Sequence, residues 1–370
     1  MKILVAYDGS VSGDGALYDL ARAGLPSRLE VIVISVTVSK YIPAGWTAAD
    51  RNKIDIRSER APSGWNEWAE AQAKANAVAA RAEAQASAER ACRYLLTRFP
   101  GWQVNAEALE GAPARTILAR AQSWKADLIV LGSHGRTDFG RLLLGSVAEK
   151  VLLHARCDVR IARARIGIGY RAPRIMIALD GSPASMGAVD AVAARDWPPG
   201  TSVRILATVT AGEAVAQILD GTGSGPKAPS ASWIESRLEA AAAKLTRPGL
   251  RGLKVTPEIQ VGEPRETLLN IAKAWAADSI FVGSRGRNSG ERSNAGERSN
   301  AGERFLLGGV SSAVAAHAPC SVEIVRRPGS DRDRAPRATV SRKQKPVPQG
   351  KSGRFNGMVR GKRPRPAKRP

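Results

Sequence analysis

The sequence predicts an α/β protein made of two doubly wound, Rossmann-like domains in tandem, followed by a disordered basic tail. Three observations carry that expectation. Short apolar runs alternate with helical segments. The whole pattern returns about 172 residues later, Asp8-Gly9-Ser10 reappearing as Asp180-Gly181-Ser182. Beyond residue 328 the composition turns basic and rich in Pro, Gly and Ser.

In the first half, Lys2–Ala6 reads as a strand that stops at Asp8-Gly9-Ser10, and an Ala-rich helical segment leads to a second strand over Val31–Val38. Residues 39–65, with Pro43, Trp46, Pro62 and Trp65, break the alternation and read as an insertion. A long amphipathic helix is expected from Asn66, as N-cap, to Phe99, where Pro100-Gly101 stops it. A further helix starts near Pro113. A buried strand over Asp127–Gly132, one more helix, and a final strand over Asp158–Ala162 complete the half.

The second half repeats the order, with strands at Arg174–Leu179, Val203–Val209, Asp278–Gly283 and Ser321–Val325 and a helix starting near Pro264. The expected boundaries are 1–165 for the first domain, 172–328 for the second and 329–370 for the tail. The linker between domains runs from about Arg163 to Pro173. Strands separated by helices call for parallel pairing and right-handed crossovers, with helices on both faces of each sheet.

Composition excludes several classes. No stretch reaches the ~18 to 20 uninterrupted apolar residues of a membrane span, and the opening apolar run is too short for a secretory leader. A cytoplasmic location and no membrane partner are the resulting expectations. Three scattered cysteines, Cys92, Cys157 and Cys320, supply neither a disulfide framework nor a zinc cluster. They read as small buried side chains in a reducing compartment. The net charge is +22, but residues 331–370 hold 14 Lys/Arg against 2 Asp and so carry +12 of it. That tail has too few apolar side chains to offset the entropy of ordering. Nonspecific polyanion binding fits it, although Phe355 is its only aromatic for base stacking.

The segment richest in chemistry lies between a buried strand and a helix. It reads Gly132-Ser133-His134-Gly135, nine residues, then Gly145-Ser146-Val147. In open α/β sheets, ligands bind beyond the carboxyl ends of the strands, where helix N-termini offer unpaired N–H groups to anions. Glycines let backbone approach a phosphate closely, and Ser146 stands where it can cap the helix and donate its hydroxyl. Each such donor contributes on the order of 1 to 3 kcal/mol, so several must converge for micromolar binding. Glycines at a strand-to-helix turn also serve packing alone. His134 lacks an acidic partner in the sequence and reads as a loop side chain rather than a catalytic base.

The spacing G-x2-G-x9-G-S, followed by Val-Ala-Glu-Lys-Val-Leu-Leu-His, resembles the ATP-binding signature of the universal stress protein family, and Ile-Leu-Val-Ala-Tyr-Asp-Gly-Ser resembles that family's first strand. The resemblance covers roughly residues 1–328, outside the insertion. It implies parallel five-stranded sheets of the adenine nucleotide α-hydrolase-like kind and ATP, alone or with Mg2+, as ligand. It places the nucleotide against Ala6, Asp8, Val36, Gly132, Gly135, Gly145, Ser146 and Val147. Asp8 would lie beside the nucleotide and a backbone group at Val36 would meet the adenine. Family members that bind ATP commonly pair, which here implies either pairing of the two domains within one chain or a homodimer.

The second half departs from the motif. Its corresponding set is Asp180, Val209, Gly283, Gly286 and Gly308, but 21 residues separate Gly286 from Gly308, with Ser-Asn-Ala-Gly-Glu-Arg occurring twice among them. Deleting Glu291–Gly302 would restore the spacing, and Gly309 replaces the hydroxyl residue. Nucleotide binding is therefore expected mainly in the first half. No G-x-x-x-x-G-K-[ST] lysine and no acidic pair for Mg2+ is apparent, so at most slow hydrolysis is expected. An adenylating ligase is disfavoured by the lack of Ser-Gly-Gly-x-Asp-Ser and His-x-Gly-His. The competing readings are a dimerisation scaffold without nucleotide and a nucleic-acid-associated protein acting through its tail.

Overall fold

The computed structural model describes residues 1–38, 65–135, 144–163, 171–211, 231–247, 252–286 and 307–326. The insertion up to residue 64, the repeat at 291–302 and the tail lie outside these residues. The first half runs β1 (Lys2–Ala6), α1 (Val11–Asp19), β2 (Glu30–Thr37), α2 (Trp65–Arg98), β3 (Gln103–Glu110), α3 (Pro113–Trp124), β4 (Leu128–Gly132), α4 (Ser146–His154) and β5 (Asp158–Ala162). The second runs β6 (Arg174–Leu179), α5 (Pro183–Ala193), β7 (Ser202–Val209), α6 (Ala231–Thr246), β8 (Lys254–Val261), α7 (Pro264–Ala274), β9 (Ser279–Gly283), α8 (Gly309–His317) and β10 (Ser321–Val325).

Each half forms the expected five-stranded parallel sheet, ordered β3-β2-β1-β4-β5 in the first and β8-β7-β6-β9-β10 in the second. The two sheets are not separate. β5 and β10 pair antiparallel, Arg160 directly opposite Glu323, so one sheet of ten strands runs through both halves.

Helix positions follow from apolar spacing. In α2 the residues Ala84, Ala88, Ala91 and Leu95 are buried, and in α6 the residues Ile234, Leu238, Ala241 and Leu245 repeat that spacing. Intervals of four, three and four place all of them on one helix face, against the sheet. Asn66 is not the N-cap of α2, because the helix already includes Trp65. A first-turn Asn is tolerated there, where its N–H has no intrahelical partner in any case.

The two faces of the sheet differ. On one, beneath α3, α4, α7 and α8, a single apolar cluster runs across both halves, from Leu4 and Ile129 through Val159 and Ile161 to Val322, Ile324 and Ile280. On the other, Ile3, Val5 and Val130 pack with α1 and α2, while Ile177, Phe281 and Val325 pack with α5 and α6 in a separate cluster. What divides them is polar. Alternation along β5 and β10 sends Val159 and Ile161 to the continuous face and Arg160 with Glu323 to the divided one. Among the described residues, no helix is long and apolar enough to cross a membrane.

Candidate functional site

The first half's loops converge where β1 and β4 end. Asp8 follows β1, and its Oδ1 accepts from the Ser10 N–H at 3.0 Å, an Asx-turn that Gly9 completes at φ +75°. Ser10 then caps α1, its Oγ accepting from the Gly13 N–H at 3.0 Å. These bonds fix where the Asp8 carboxylate stands.

The G-x2-G-x9-G loop is bound to the same corner. A Cβ on Gly132 would lie 2.5 Å from Ser12 Oγ and 2.6 Å from the Ser12 carbonyl oxygen, so only glycine lets α1 approach the end of β4 this closely. The His134 N–H donates to Ser12 Oγ at 3.1 Å, and the Gly145 N–H donates to the Ser133 carbonyl at 2.8 Å, drawing together the two ends of the loop. Gly135 differs from the other two. It is exposed, and among the described residues a Cβ there would meet only Asp8 Oδ2, at 3.5 Å. A Cβ on Gly145, the N-cap of α4, would lie 3.6 Å from the Gly135 nitrogen, so Gly135 neighbours both the Asp8 carboxylate and the start of α4.

Ser146 does not cap α4. Gly145 takes the N-cap position in extended conformation, φ −63° and ψ 147°, without a side-chain cap. The hydrogen bond from Gly145 to Ser133 sets that position, which leaves Ser146 as the exposed first helical residue. The N–H groups of the first turn lack intrahelical partners, as at any helix start. Val147 is half-buried on the core side of α4, while Ala6 and Val36 are half-buried at the ends of β1 and β2. His134 Nδ1 lies 2.9 Å from Ser133 Oγ, so its partner among the described residues is a hydroxyl rather than a carboxylate. Among the described residues, no three His, Cys, Asp or Glu side chains gather as a metal site.

The second half copies this scaffold to the backbone. Asp180 Oδ1 accepts from the Ser182 N–H at 2.9 Å, Gly181 has φ +75°, and Ser182 caps α5. A Cβ on Gly283 would lie 2.7 Å from the Ser185 nitrogen, and the Gly308 N–H donates to the Ser284 carbonyl at 2.8 Å. Val209 is buried at the end of β7.

Two features distinguish this corner. A Cβ on Gly286 would lie 2.7 Å from Asp180 Oδ2, against 3.5 Å for Gly135 and Asp8, so the carboxylate stands closer to the loop. The Trp233 ring of α6 also occupies the space that a side chain on Gly181 would need. Sequence reading singled out neither Trp233 nor Ser12. Ser12 was legible only as the residue two past an N-cap serine, and nothing in spacing or charge marked Trp233.

A model of the universal stress protein family matches residues 1–163 and again residues 172–326. Among curated relatives, a universal stress protein of Methanocaldococcus jannaschii is 48% identical over 63 residues, 17% of this chain and 37% of the relative. Another, from Mycobacterium tuberculosis, is 27% identical over 190 residues, 50% of this chain and 55% of the relative. The chain thus matches little more than half the length of the longer-matching relative and well under half of the other. Among solved structures, a universal stress protein from Archaeoglobus fulgidus shares the chain trace with a TM-score of 0.52, over 88% of this chain and 98% of that one, at 19% identity. A functionally unknown protein from Pseudomonas aeruginosa gives 0.50, over 88% and 92%, at 14% identity. Both likenesses are of fold.

Proposed function

The chain belongs to the universal stress protein family, with two copies of the family's domain in tandem, and on that premise we propose that its first half binds ATP, alone or with Mg2+, as a stress-response or signalling switch in the cytoplasm. The observation that carries this reading is that Gly135 neighbours both the Asp8 carboxylate and the N-cap of α4, so the corner brings the two together. Gly132 and Gly145 hold that corner by close backbone packing, and Gly135 is the glycine of the motif at which, among the described residues, an added Cβ would meet no backbone. Phosphates seated there would meet first-turn N–H groups of α4, the Ser146 hydroxyl and the positive end of the helix dipole. Asp8, Ala6 and the strand end at Val36 would line the ribose and adenine side.

Binding rather than rapid turnover fits this chemistry. Asp8 is the carboxylate that the Asx-turn fixes at the corner, and His134 has a serine for its neighbour. In the second half, the shorter gap between Asp180 and Gly286, Gly309 in place of a hydroxyl residue, and Trp233 against Gly181 all favour weak nucleotide binding or none.

Calorimetric titration of the intact chain with ATP tests both statements. About one ATP per chain is expected, lost in Gly135→Val and retained in Gly286→Val. Unchanged affinity in a folded Gly135→Val protein would overturn the assignment, and two sites of similar affinity would overturn the division between halves.

A further inference from the structure

The joint between the halves is built on two layers of contact with different symmetry. The outer layer is reciprocal. Arg163, just after β5, donates through Nη2 to the Ala315 and Ala316 carbonyls at the end of α8, at 2.6 and 3.0 Å. Arg326, at the same position after β10, donates to the Leu152 carbonyl in the last turn of α4 and to the Cys157 carbonyl just before β5. The Arg163 N–H donates to Ser321 Oγ at 2.9 Å, and the Arg326 N–H donates to Asp158 Oδ1 at 2.7 Å. Because Arg163 and Arg326 occupy matching positions, these contacts would form nearly as well between two copies of either half.

The inner layer is not reciprocal. Arg160 and Glu323 are the matching central residues of β5 and β10, both 0% exposed, and they carry opposite charges. Arg160 reaches Asp19 with Nε at 2.5 Å and Nη2 at 3.1 Å, Ser279 Oγ with Nη2 at 2.8 Å, and Glu323 Oε2 with Nη1 at 3.2 Å. Glu323 Oε1 accepts in turn from Arg195, whose other nitrogen donates to the Ala23 carbonyl at 2.6 Å. Ser321 Oγ donates to Asp19 Oδ1 at 2.7 Å. The buried line Asp19, Arg160, Glu323, Arg195 therefore alternates in sign, two members from each half.

The matching positions in the other half cannot substitute. Counted from the Asp-Gly-Ser turns, Asp19 matches Ala191 and Arg195 matches Ala23; as first residues of matching strands, Ser279 matches Leu128 and Ser321 matches Asp158. Pairing two first halves would set Arg160 against Arg160, put Asp158 in Ser321's place beside Asp19, and replace the Ser279 hydroxyl by a leucine. Pairing two second halves would set Glu323 against Glu323. Like charges directly opposite across antiparallel strands are destabilising, most of all where no water reaches them. Specificity of this kind comes from what the wrong partner is made to suffer.

We propose that the β5–β10 edge is a recognition surface whose only fitting partner is the opposite half of a chain of this kind, with Arg160 and Glu323 excluding self-pairing of either half. The structure thus assigns this edge to a pairing that uses it up. A second copy of the chain finds no partner there except by exchanging halves.

The test keeps the full chain and introduces a specific protease site within residues 164–170. The cut protein is mixed with an isotopically heavy cut copy in mild urea until heavy and light halves exchange, and the complexes are weighed by native mass spectrometry. Complexes of one first half with one second half are expected, in all isotopic combinations, with no first–first or second–second pairs. Glu323→Arg should weaken association of the cut halves on the order of a hundredfold or more. Glu323→Gln, which keeps the shape and a hydrogen-bonding group, should weaken it less and serves where the arginine variant fails to fold. Appearance of same-half pairs from the unsubstituted protein, or unchanged association in the folded Glu323 variants, would overturn the proposal.

Discussion

Gly132 and Ser12 stand so close that a single methyl on the glycine would lie 2.5 Å from the serine hydroxyl oxygen and 2.6 Å from its carbonyl oxygen. The carbonyl belongs to the first turn of α1 and cannot rotate away as a side chain tip could. Gly132→Ala should therefore destabilise the protein by about 1 to 3 kcal/mol, read as a lower urea midpoint. Gly283→Ala should do the same, since Ala184 and Ser185 press on it equally closely. Gly135→Ala, which among the described residues meets only Asp8 Oδ2 at 3.5 Å, should stay within about 0.5 kcal/mol. Equal effects at all three glycines would contradict the distinction drawn between packing and ligand space.

Asp158 makes stability pH-dependent at the joint. Burial pushes its carboxyl up to about 7, with the charge of Glu323 adding to the rise and the Arg326 N–H opposing it. The folded protein therefore keeps a proton that the unfolded chain releases near pH 4. Stability should fall as pH rises from about 4 to about 7 and level off above that. Asp158→Asn, which keeps an oxygen for Arg326, should flatten this stretch of the curve. A slope that survives the substitution would assign the dependence to other groups.

Asp278 collects charges from both halves. Its carboxylate accepts from Arg22 of the first half at 2.9 Å, from Arg171 at 2.8 and 3.0 Å, and from the Arg174 N–H at 2.8 Å. Its match in the first half, Asp127, accepts from the Lys2 N–H alone among the described bonds, at 2.8 Å in an exposed setting. Asp278→Ala should cost about 2 to 4 kcal/mol and Asp127→Ala under about 1 kcal/mol. Thermal unfolding of the two variants side by side measures the difference.

The tail should act without supporting the fold. Removing residues 331–370 takes away +12 of the net +22, so binding to a generic polyanion should weaken and its salt dependence become shallower. The melting temperature should change little, because the segment has almost no large apolar side chains to bury. A large drop would show that the tail packs against the body.

Much of the architecture was legible in the sequence because buried strands advertise themselves. Ile3–Val5, Leu128–Leu131 and Ile175–Leu179 are apolar on both faces, and the Asp-Gly-Ser turns mark where two of them end. The outer strands β3 and β8 escaped notice, since Gln103–Glu110 and Lys254–Val261 are half-exposed and alternate polar with apolar residues instead of forming an apolar run. The glycine loop was legible from spacing alone, but its division of labour was not. Which glycine is pressed by a helix backbone and which is not depends on the approach of α1, a tertiary fact. The joint was hidden for a similar reason: Arg160 and Glu323 lie 163 positions apart, and only the matching of the two repeats brings out their opposite sign.

Fusing the two sheets also bears on aggregation. Two separate five-stranded sheets would leave four lateral strands with unsatisfied backbone groups, each a template for growth by another chain. Joining β5 to β10 removes two of them, leaving β3 and β8 at the far ends. β8 bears exposed Ile259 and Val261, yet it also contains Pro257, which has no N–H to offer an incoming strand, and the charged Lys254 and Glu258. β3 carries Glu107 and Glu110. The sheet is long, but its two termini are poor seeds for further growth.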